Sequence, residues 1–269
     1  MSPPGRPETD RGSSEHSAKQ VSAPAVELRG LSYAYPDGTP ALSDVDVCIA
    51  HGEAVAVVGA NGAGKSTLLQ HLNGLLLPNQ GEVAIDGLPV TRATLPRVRR
   101  SVGFVFQDAD DQLFMPTVRD DVAFGPSNQG LQAQQVQARV SAALEAVGAA
   151  HLAKRAPYRL SGGEKRAVAI AGVLAMEPSI LVLDEPSSGL DPAGRRRLIE
   201  LLRSFSLTRV IATHDLDLVL AVCGRVLVMH EGRVVADGSP IDLFADLALL
   251  RRCHLEPPLG GTGGTGPAR

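Results

Sequence analysis

The most chemically loaded stretch of the sequence is Gly59-Ala60-Asn61-Gly62-Ala63-Gly64-Lys65-Ser66, a complete G-x-x-x-x-G-K-S. Its glycines let consecutive backbone N–H groups turn inward around phosphate oxygens, and a helix opening behind them adds the positive end of its dipole. A lysine at the place of Lys65 reaches β and γ phosphates, and a hydroxyl at the place of Ser66 ligates magnesium. A second candidate is Ile180-Leu181-Val182-Leu183-Asp184-Glu185, an apolar run that ends in two carboxylates. Open α/β sheets place their ligands at such strand ends. Asp184 suits a magnesium ion held through water, and Glu185 suits polarising an attacking water. Alone, acids after a strand are ordinary turn residues; beside the Gly59 motif they read as catalytic.

The third candidate, Leu160-Ser161-Gly162-Gly163-Glu164, begins a helix. Ser161 is a plausible N-cap and the glycines a tight helix start. Ser161 and the Gly162 and Gly163 amides also make a second helix-terminus anion site. One chain hardly needs two sites for one phosphate chain. The second is therefore expected to serve a nucleotide held by a partner subunit, with two ATP molecules sandwiched in a head-to-tail dimer.

The elements that must position these residues follow from hydrophobic periodicity. Val45, Val47 and Ile49 alternate with Asp44, Asp46 and Cys48, which predicts a half-buried strand, and 54–58 predicts a fully buried one. Further buried strands are expected at 103–106, 180–184, 209–213 and 225–230, with helices at 65–76, 117–124, 132–147 and 162–176. In the last of these, Ala167, Val168, Ile170, Ala171 and Leu174 fall at helical spacing. Strand signal vanishes from about 108 to 160, an inserted helical subdomain in an otherwise α/β layering around a mostly parallel sheet. Residues 1–24 and the stretch from about 257 lack the apolar content to offset ordering entropy and are expected to be disordered tails. Between them lie one folded unit at 25–245 and a C-terminal extension from 246.

Composition narrows the function classes. With 26 basic and 29 acidic groups the formal charge is −3, too balanced for a polyanion held by bulk electrostatics, so no nucleic-acid partner is expected. The apolar runs are short, such as five residues at 54–58 and four at 180–183, and fall well below the roughly 18 a bilayer-spanning helix needs. The N-terminal stretch has no apolar core behind its charges, so no secretory signal is expected and the chain is placed in the cytosol. Cys48, Cys223 and Cys253 have no metal spacing and are expected to be buried, reduced thiols.

The set of residues 59–66, Gln107, Leu160 to Glu164, Asp184-Glu185, Ser188-Gly189-Leu190-Asp191 and His214 resembles the nucleotide-binding subunit of ABC transporters over about residues 26–245. The resemblance implies a P-loop RecA-like α/β core with an antiparallel β subdomain and an inserted α-helical signature subdomain. It also implies an ATPase that binds ATP and magnesium. Tyr35 would stack on adenine, residues Gly59 to Ser66 and Thr67 would bind ATP, and Ser66, Gln107 and Asp184 would hold magnesium. Gln107 would also sense water between core and helical subdomain. Glu185 would be the general base, and His214 would contact the γ phosphate. Ser161, Gly162, Gly163 and Glu164 would act in trans, and Asp191 would lie in a loop crossing the dimer interface.

A narrower resemblance lies in 104–114, followed by Thr117-Val118 and 121–126, with Tyr35-Pro36-Asp37-Gly38 and Leu72-Asn73-Gly74-Leu75 in agreement. These are similar to the energy-coupling-factor importers, in particular their cobalt-type ATPase. In that class a short helix with a Pro-Asp-x-Gln pattern borders the groove for coupling helices of a membrane subunit. Here Ala109 stands in place of the Pro, while Asp110 and Gln112 remain. Asp108, Asp110, Asp111, Asp120 and Asp121 read either as a solvated acidic face or as partners for a basic coupling helix. Glu164 replaces the commoner signature glutamine, which is tolerable if phosphate contacts come from Ser161 and the glycine amides.

The expected partners are thus a second ATPase subunit, identical or a close homologue, a membrane coupling subunit and a substrate-binding membrane subunit. The chain would sit peripherally at the cytoplasmic face of the cell membrane. Nickel or a vitamin would use nearly the same engine as cobalt. A soluble non-transport ABC ATPase, which usually carries two cassettes or a long coiled coil, fits one cassette with about fifty residues between Gln107 and Ser161 poorly. A P-loop GTPase would need an Asn-Lys-x-Asp that the sequence lacks.

Overall fold

The computed structural model of the chain describes residues 23–258, so the expected tails lie almost wholly outside the described residues. The chain opens with strands β1 (Val26–Ala34) and β2 (Pro40–Ile49), then β3 (Ala54–Val58), helix α1 (Lys65–Leu72), β4 (Gln80–Ile85), β5 (Leu88–Pro89) and α2 (Leu95–Ser101). Strand β6 (Val102–Val105), a 3₁₀ turn (Ala109–Asp111) and helices α3 (Val118–Asn128), α4 (Ala133–Ala146) and α5 (Gly162–Leu174) follow. The rest is β7 (Ile180–Asp184), α6 (Pro192–Ser204), β8 (Thr208–Ala212), α7 (Leu216–Val222), β9 (Arg225–His230), β10 (Arg233–Gly238), α8 (Pro240–Ala245) and α9 (Leu247–Arg252).

Two sheets organise these elements. One is antiparallel, in the order β2-β1-β4-β5; the other runs β10-β9-β3-β8-β7-β6 and is parallel except for the β9–β10 pair. The parallel strands are apolar on both faces because both are covered. Val55, Val57, Val182, Val210 and Leu227 face a core shared with α1 and the antiparallel sheet. Ala56, Val58, Leu183, Ile211 and Val228 face a second core with α5, α6 and α7. Helices α3 and α4 pack with the other side of α5 around Val118, Val122, Val140 and Leu144, a third core distinct from the first two. Among the described residues no helix is long and apolar enough to cross a membrane.

Several boundaries differ from the periodicity, each for a local reason. The helix expected to reach 76 stops at Leu72, because Asn73 caps it and Gly74 turns with φ 66°. Thr117 lies outside α3 as its cap, accepting a hydrogen bond from the Asp120 N–H. The strand before His214 ends at Ala212, and the one before Gln107 at Val105. One expectation fails outright. Cys223 and Cys253 are buried, but Cys48 is exposed, since it stands on the solvent side of the β2 alternation.

Candidate nucleotide site

Strand β3 delivers the glycine-rich loop to the C-terminal edge of the parallel sheet, between β8 and β9. The loop is held so tightly that its glycines are obligatory. A Cβ on Gly59 would lie 2.5 Å from the Met229 carbonyl oxygen, and one on Gly64 2.7 Å from that of Ala41. Gly64, with φ 100°, also precedes α1 without any side-chain cap, which leaves the first amides of that helix for a ligand.

These amides border a cavity of about 660 Å³ lined by Tyr35, Asn61, Gly62, Gly64, Lys65, Ser66, Thr67, Gln107, Glu185 and His214, with Thr39, Pro40, Ala41 and Ser188. Of the phosphate-loop residues, Gly59 and Ala60 meet Lys65, whose Nζ donates to their carbonyls at 2.9 and 3.2 Å. Ala63 is buried behind the loop. Lys65 Nζ also lies 3.6 Å from Glu185 Oε1. Tyr35 is held at the rim, its hydroxyl 2.8 Å from Thr67 Oγ1 and its ring edge-on to Tyr33 at 5.3 Å. Thr39, Pro40 and Ala41 carry no motif, and only the fold brings them here.

At the end of β7 the two acids are differently placed. Asp184 is buried, hydrogen-bonded to the Ser66 side chain, and its Oδ1 has no partner in the protein. Burial holds its carboxyl above the ordinary range, against the opposing Ser66 hydrogen bond. A buried acceptor without a partner, beside a hydroxyl, is the arrangement a hydrated cation would satisfy. Glu185 is only 6% exposed and sits in the left-handed region, φ 43°, a strained conformation for a non-glycine residue. Its amide donates to the Ala212 carbonyl at 2.8 Å, and its Oε2 lies 2.8 Å from His214 Nδ1. The His214 ring is otherwise largely exposed.

The signature residues stand elsewhere. Neither Ser161, Gly162, Gly163, Glu164 nor Asp191 lines the 660 Å³ cavity. Ser161 and Glu164 form a reciprocal capping box: the Ser161 amide donates to Glu164 Oε2 at 2.8 Å, and the Glu164 amide donates to Ser161 Oγ at 3.3 Å. The Ser161 amide bond holds the Glu164 carboxyl below its usual range. Asp191 caps α6, accepting from the Gly194 amide at 2.6 Å.

The acids after Gln107 do not form one solvated face. Asp121 is buried and accepts the Phe114 and Met115 amides at 3.0 and 2.9 Å. Burial pushes its carboxyl up. Asp110 is paired to Lys165 at 2.6 Å. Beside the exposed Asp108, Asp110 and Asp111 the segment also exposes apolar surface: Phe114, 63% exposed, meets Phe124 edge-on at 5.0 Å over a groove shared with Phe106 and Met176. Sequence reading also passed over Arg166, a charge set among the apolar positions of α5, whose only signal was that misplacement.

Comparison with known proteins bears on this geometry. The family model described as ABC transporter matches residues 42–188. An energy-coupling factor transporter ATP-binding protein of Methanothermobacter thermautotrophicus is 51% identical over 87% of this chain and 76% of its own length. CbiO1 of Clostridium perfringens, itself a part of the ABC transporter complex CbiONQ, is 43% identical with a TM-score of 0.76, covering 86% of this chain and 94% of its own. An ATP-binding cassette solved as a dimer in a post-hydrolysis state with ADP and Pi is 29% identical, with a TM-score of 0.72, over 80% and 98%.

Proposed function

This chain belongs to the ABC transporter family of ATP-binding proteins, and we propose that it is the ATP-hydrolysing subunit of an energy-coupling-factor importer, with cobalt as the cargo. The observation that carries this reading is the convergence of the phosphate loop, Glu185 and His214 on one cavity, with Asp184 buried against the Ser66 side chain and an apolar groove beside Gln107 at the edge of the helical subdomain.

In this reading the α1 amides and Lys65 take the β and γ phosphates, and ATP displaces Lys65 from the carbonyls of Gly59 and Ala60 and from Glu185. Tyr35 stacks on adenine. Ser66, Asp184 and Gln107 are the residues that would hold magnesium, which when bound neutralises phosphate oxygens as charge develops. Glu185 accepts a proton from the attacking water while the bond from the γ phosphorus to the ADP oxygen breaks. His214 orients the Glu185 carboxylate and then meets the γ phosphate.

Because the signature lies outside this cavity, its anion site serves the nucleotide of a second copy or a close homologue, and Asp191 lies at that junction. Loss of the γ phosphate removes the bridge to the opposite Ser161 and reopens the dimer, a ligand-driven population shift. The Phe114–Phe124 groove receives a coupling helix of the membrane subunit, which places the chain peripherally at the cytoplasmic face of the membrane. Cobalt rests on the likeness of the segment at 104–126 to the cobalt-type ATPase, and the cargo itself is bound by membrane subunits.

Purification of the tagged chain from its native membranes in mild detergent, followed by mass spectrometry, tests the reading. A polytopic coupling subunit together with a small substrate-binding membrane protein is expected, and metal analysis of that complex separates cobalt from nickel or a vitamin. Recovery of ribosomal or DNA-associated partners without any integral membrane protein would sink the transporter reading and leave a soluble ATPase.

A further inference from the structure

Helix α5 and Gln107 are joined by a contact that none of the motifs accounts for. Arg166 is only 6% exposed, an unusual place for a guanidinium. Its Nη1 donates to the Phe106 carbonyl at 2.6 Å and its Nη2 to the Gln107 carbonyl at 2.5 Å. One planar fork thus spans two successive carbonyls just past β6, each held by its own nitrogen in a fixed geometry. Two further contacts tie the same pair of segments. Gln112 Nε2 donates to the Ala169 carbonyl at 2.9 Å, and Lys165 Nζ pairs with Asp110 at 2.6 Å. Burial of the charge is opposed by the fields of Asp108 and Asp184, which places Arg166 within electrostatic reach of the nucleotide site.

We propose that Arg166 is a positioning residue for ATP hydrolysis: by clamping the Phe106 and Gln107 carbonyls it sets where the Gln107 side chain stands in the nucleotide cavity. The inference rests on the role proposed above for Gln107 and adds a connection to it. Helix α5 carries the signature at its N-terminus, which serves the partner's nucleotide, while Gln107 serves the chain's own. The clamp makes these two groups move as one body, so closure on one nucleotide is felt at the other.

The test uses the full chain as wild type, R166Q, R166K, Q107A and the R166Q/Q107A double variant. Steady-state ATPase is measured against ATP and Mg²⁺, and a fluorescent ATP analogue is bound with Mg²⁺ and with EDTA. R166Q is expected to lower kcat about tenfold with KM for ATP within about twofold, and to raise half-saturating Mg²⁺ by about threefold or more. Its affinity for the analogue should match wild type in EDTA and at saturating Mg²⁺, and fall only at limiting Mg²⁺. Q107A should reproduce this pattern, R166K should fall between, and adding R166Q to Q107A should cost nothing further.

Losses that multiply in the double variant would make Arg166 merely structural and overturn the proposal. So would wild-type kcat and Mg²⁺ dependence in an R166Q or R166K variant that keeps the wild-type melting temperature. If R166Q does not fold, R166K decides by the same readings. Wild-type behaviour of Q107A alone would instead overturn the role given to Gln107, and the proposal with it.

Discussion

Glu185→Gln is the sharpest probe of the chemistry, because the change is isosteric and the site is tight. The side chain is 6% exposed, with Oε2 2.8 Å from His214 Nδ1 and Oε1 3.6 Å from Lys65 Nζ. An amide fills the same space and keeps one oxygen, but it cannot take a proton from water at neutral pH. Loss of a general base costs about 10² to 10⁴ in rate, or about 2.7 to 5.4 kcal/mol of barrier. Ground-state binding should move the other way. Lys65 loses a carboxylate that competes for it in the nucleotide-free chain, so ATP affinity should hold or tighten by up to about threefold. Single-turnover hydrolysis and equilibrium binding measure the two effects separately, and gel filtration with ATP should show a dimer that persists in the variant. Turnover within about twofold of wild type, in a folded variant, would refute the assignment of Glu185 as base. A tenfold loss of ATP affinity would show instead that Glu185 shapes the empty site.

Other outcomes follow from burial and capping. Asp184 is held above the ordinary carboxylate range by burial, so the folded chain binds its proton more tightly than the unfolded chain does, and stability is lost as pH rises through that interval. Asp184→Asn should therefore raise the melting temperature of the nucleotide-free chain at pH 7 by about 2–4 °C, corresponding to about 1 kcal/mol. The gain should vanish below the ordinary carboxylate range while Mg²⁺-dependent turnover is lost at all pH values; a lower melting temperature at pH 7 counts against it. Glu164→Gln keeps an acceptor for the Ser161 amide, so turnover should stay within about twofold, whereas Glu164→Ala should cost about 1 kcal/mol of stability. A large rate loss in Glu164→Gln would mean that the carboxylate itself meets the nucleotide. Thiol titration of the native chain at pH 8 should find Cys48 fast, while Cys223, its thiol pushed up by burial to about 12, and the fully buried Cys253 wait for unfolding. A second fast thiol would contradict the packing around α7 and α9.

How far the sequence was legible depends on the range over which each feature is determined. The loop at 59–66 and the capping box at 161–164 could be read because their chemistry is a matter of successive backbone groups and side chains a turn apart. Strand β2 showed its alternation because one face is buried and the other wet. The antiparallel sheet was otherwise nearly silent. Strand β1 carries a positive-φ Gly30 and register shifts after Leu28 and Leu31, and β4 opens with three exposed residues at 80–82, so period two is broken where it would be sought. Strand ends missed by one residue because hydrogen-bond register, not hydrophobicity, sets them. Asp121 and Arg166 were misread or missed for the same reason: their partners are backbone groups at Phe114 and Met115, and at Phe106 and Gln107, which no side-chain pattern announces.

That last class of contact bears on how motion crosses the molecule. Helix α5 belongs to two cores at once, with Ile170 and Val173 packed against the parallel sheet and Val168 and Ala171 against α3 and α4. Close-packed apolar surfaces resist small shifts, because opening a gap forfeits contacts and overlap is steeply repulsive. A helix fixed in both cores therefore transmits displacement as a lever rather than absorbing it. The Phe114–Phe124 groove lies on the third-core side of that lever, and the carbonyls of Phe106 and Gln107 hang from it by Arg166. Force applied at the groove thus reaches Gln107 through a polar clamp that holds its length, while the phosphate loop, fixed by the Met229 and Ala41 carbonyls, stays with the sheet. Weakening the clamp should uncouple groove from cavity without unpacking either core. A variant at Arg166 that keeps its melting temperature but needs about threefold more Mg²⁺ for half-saturation would separate transmission from stability in this chain.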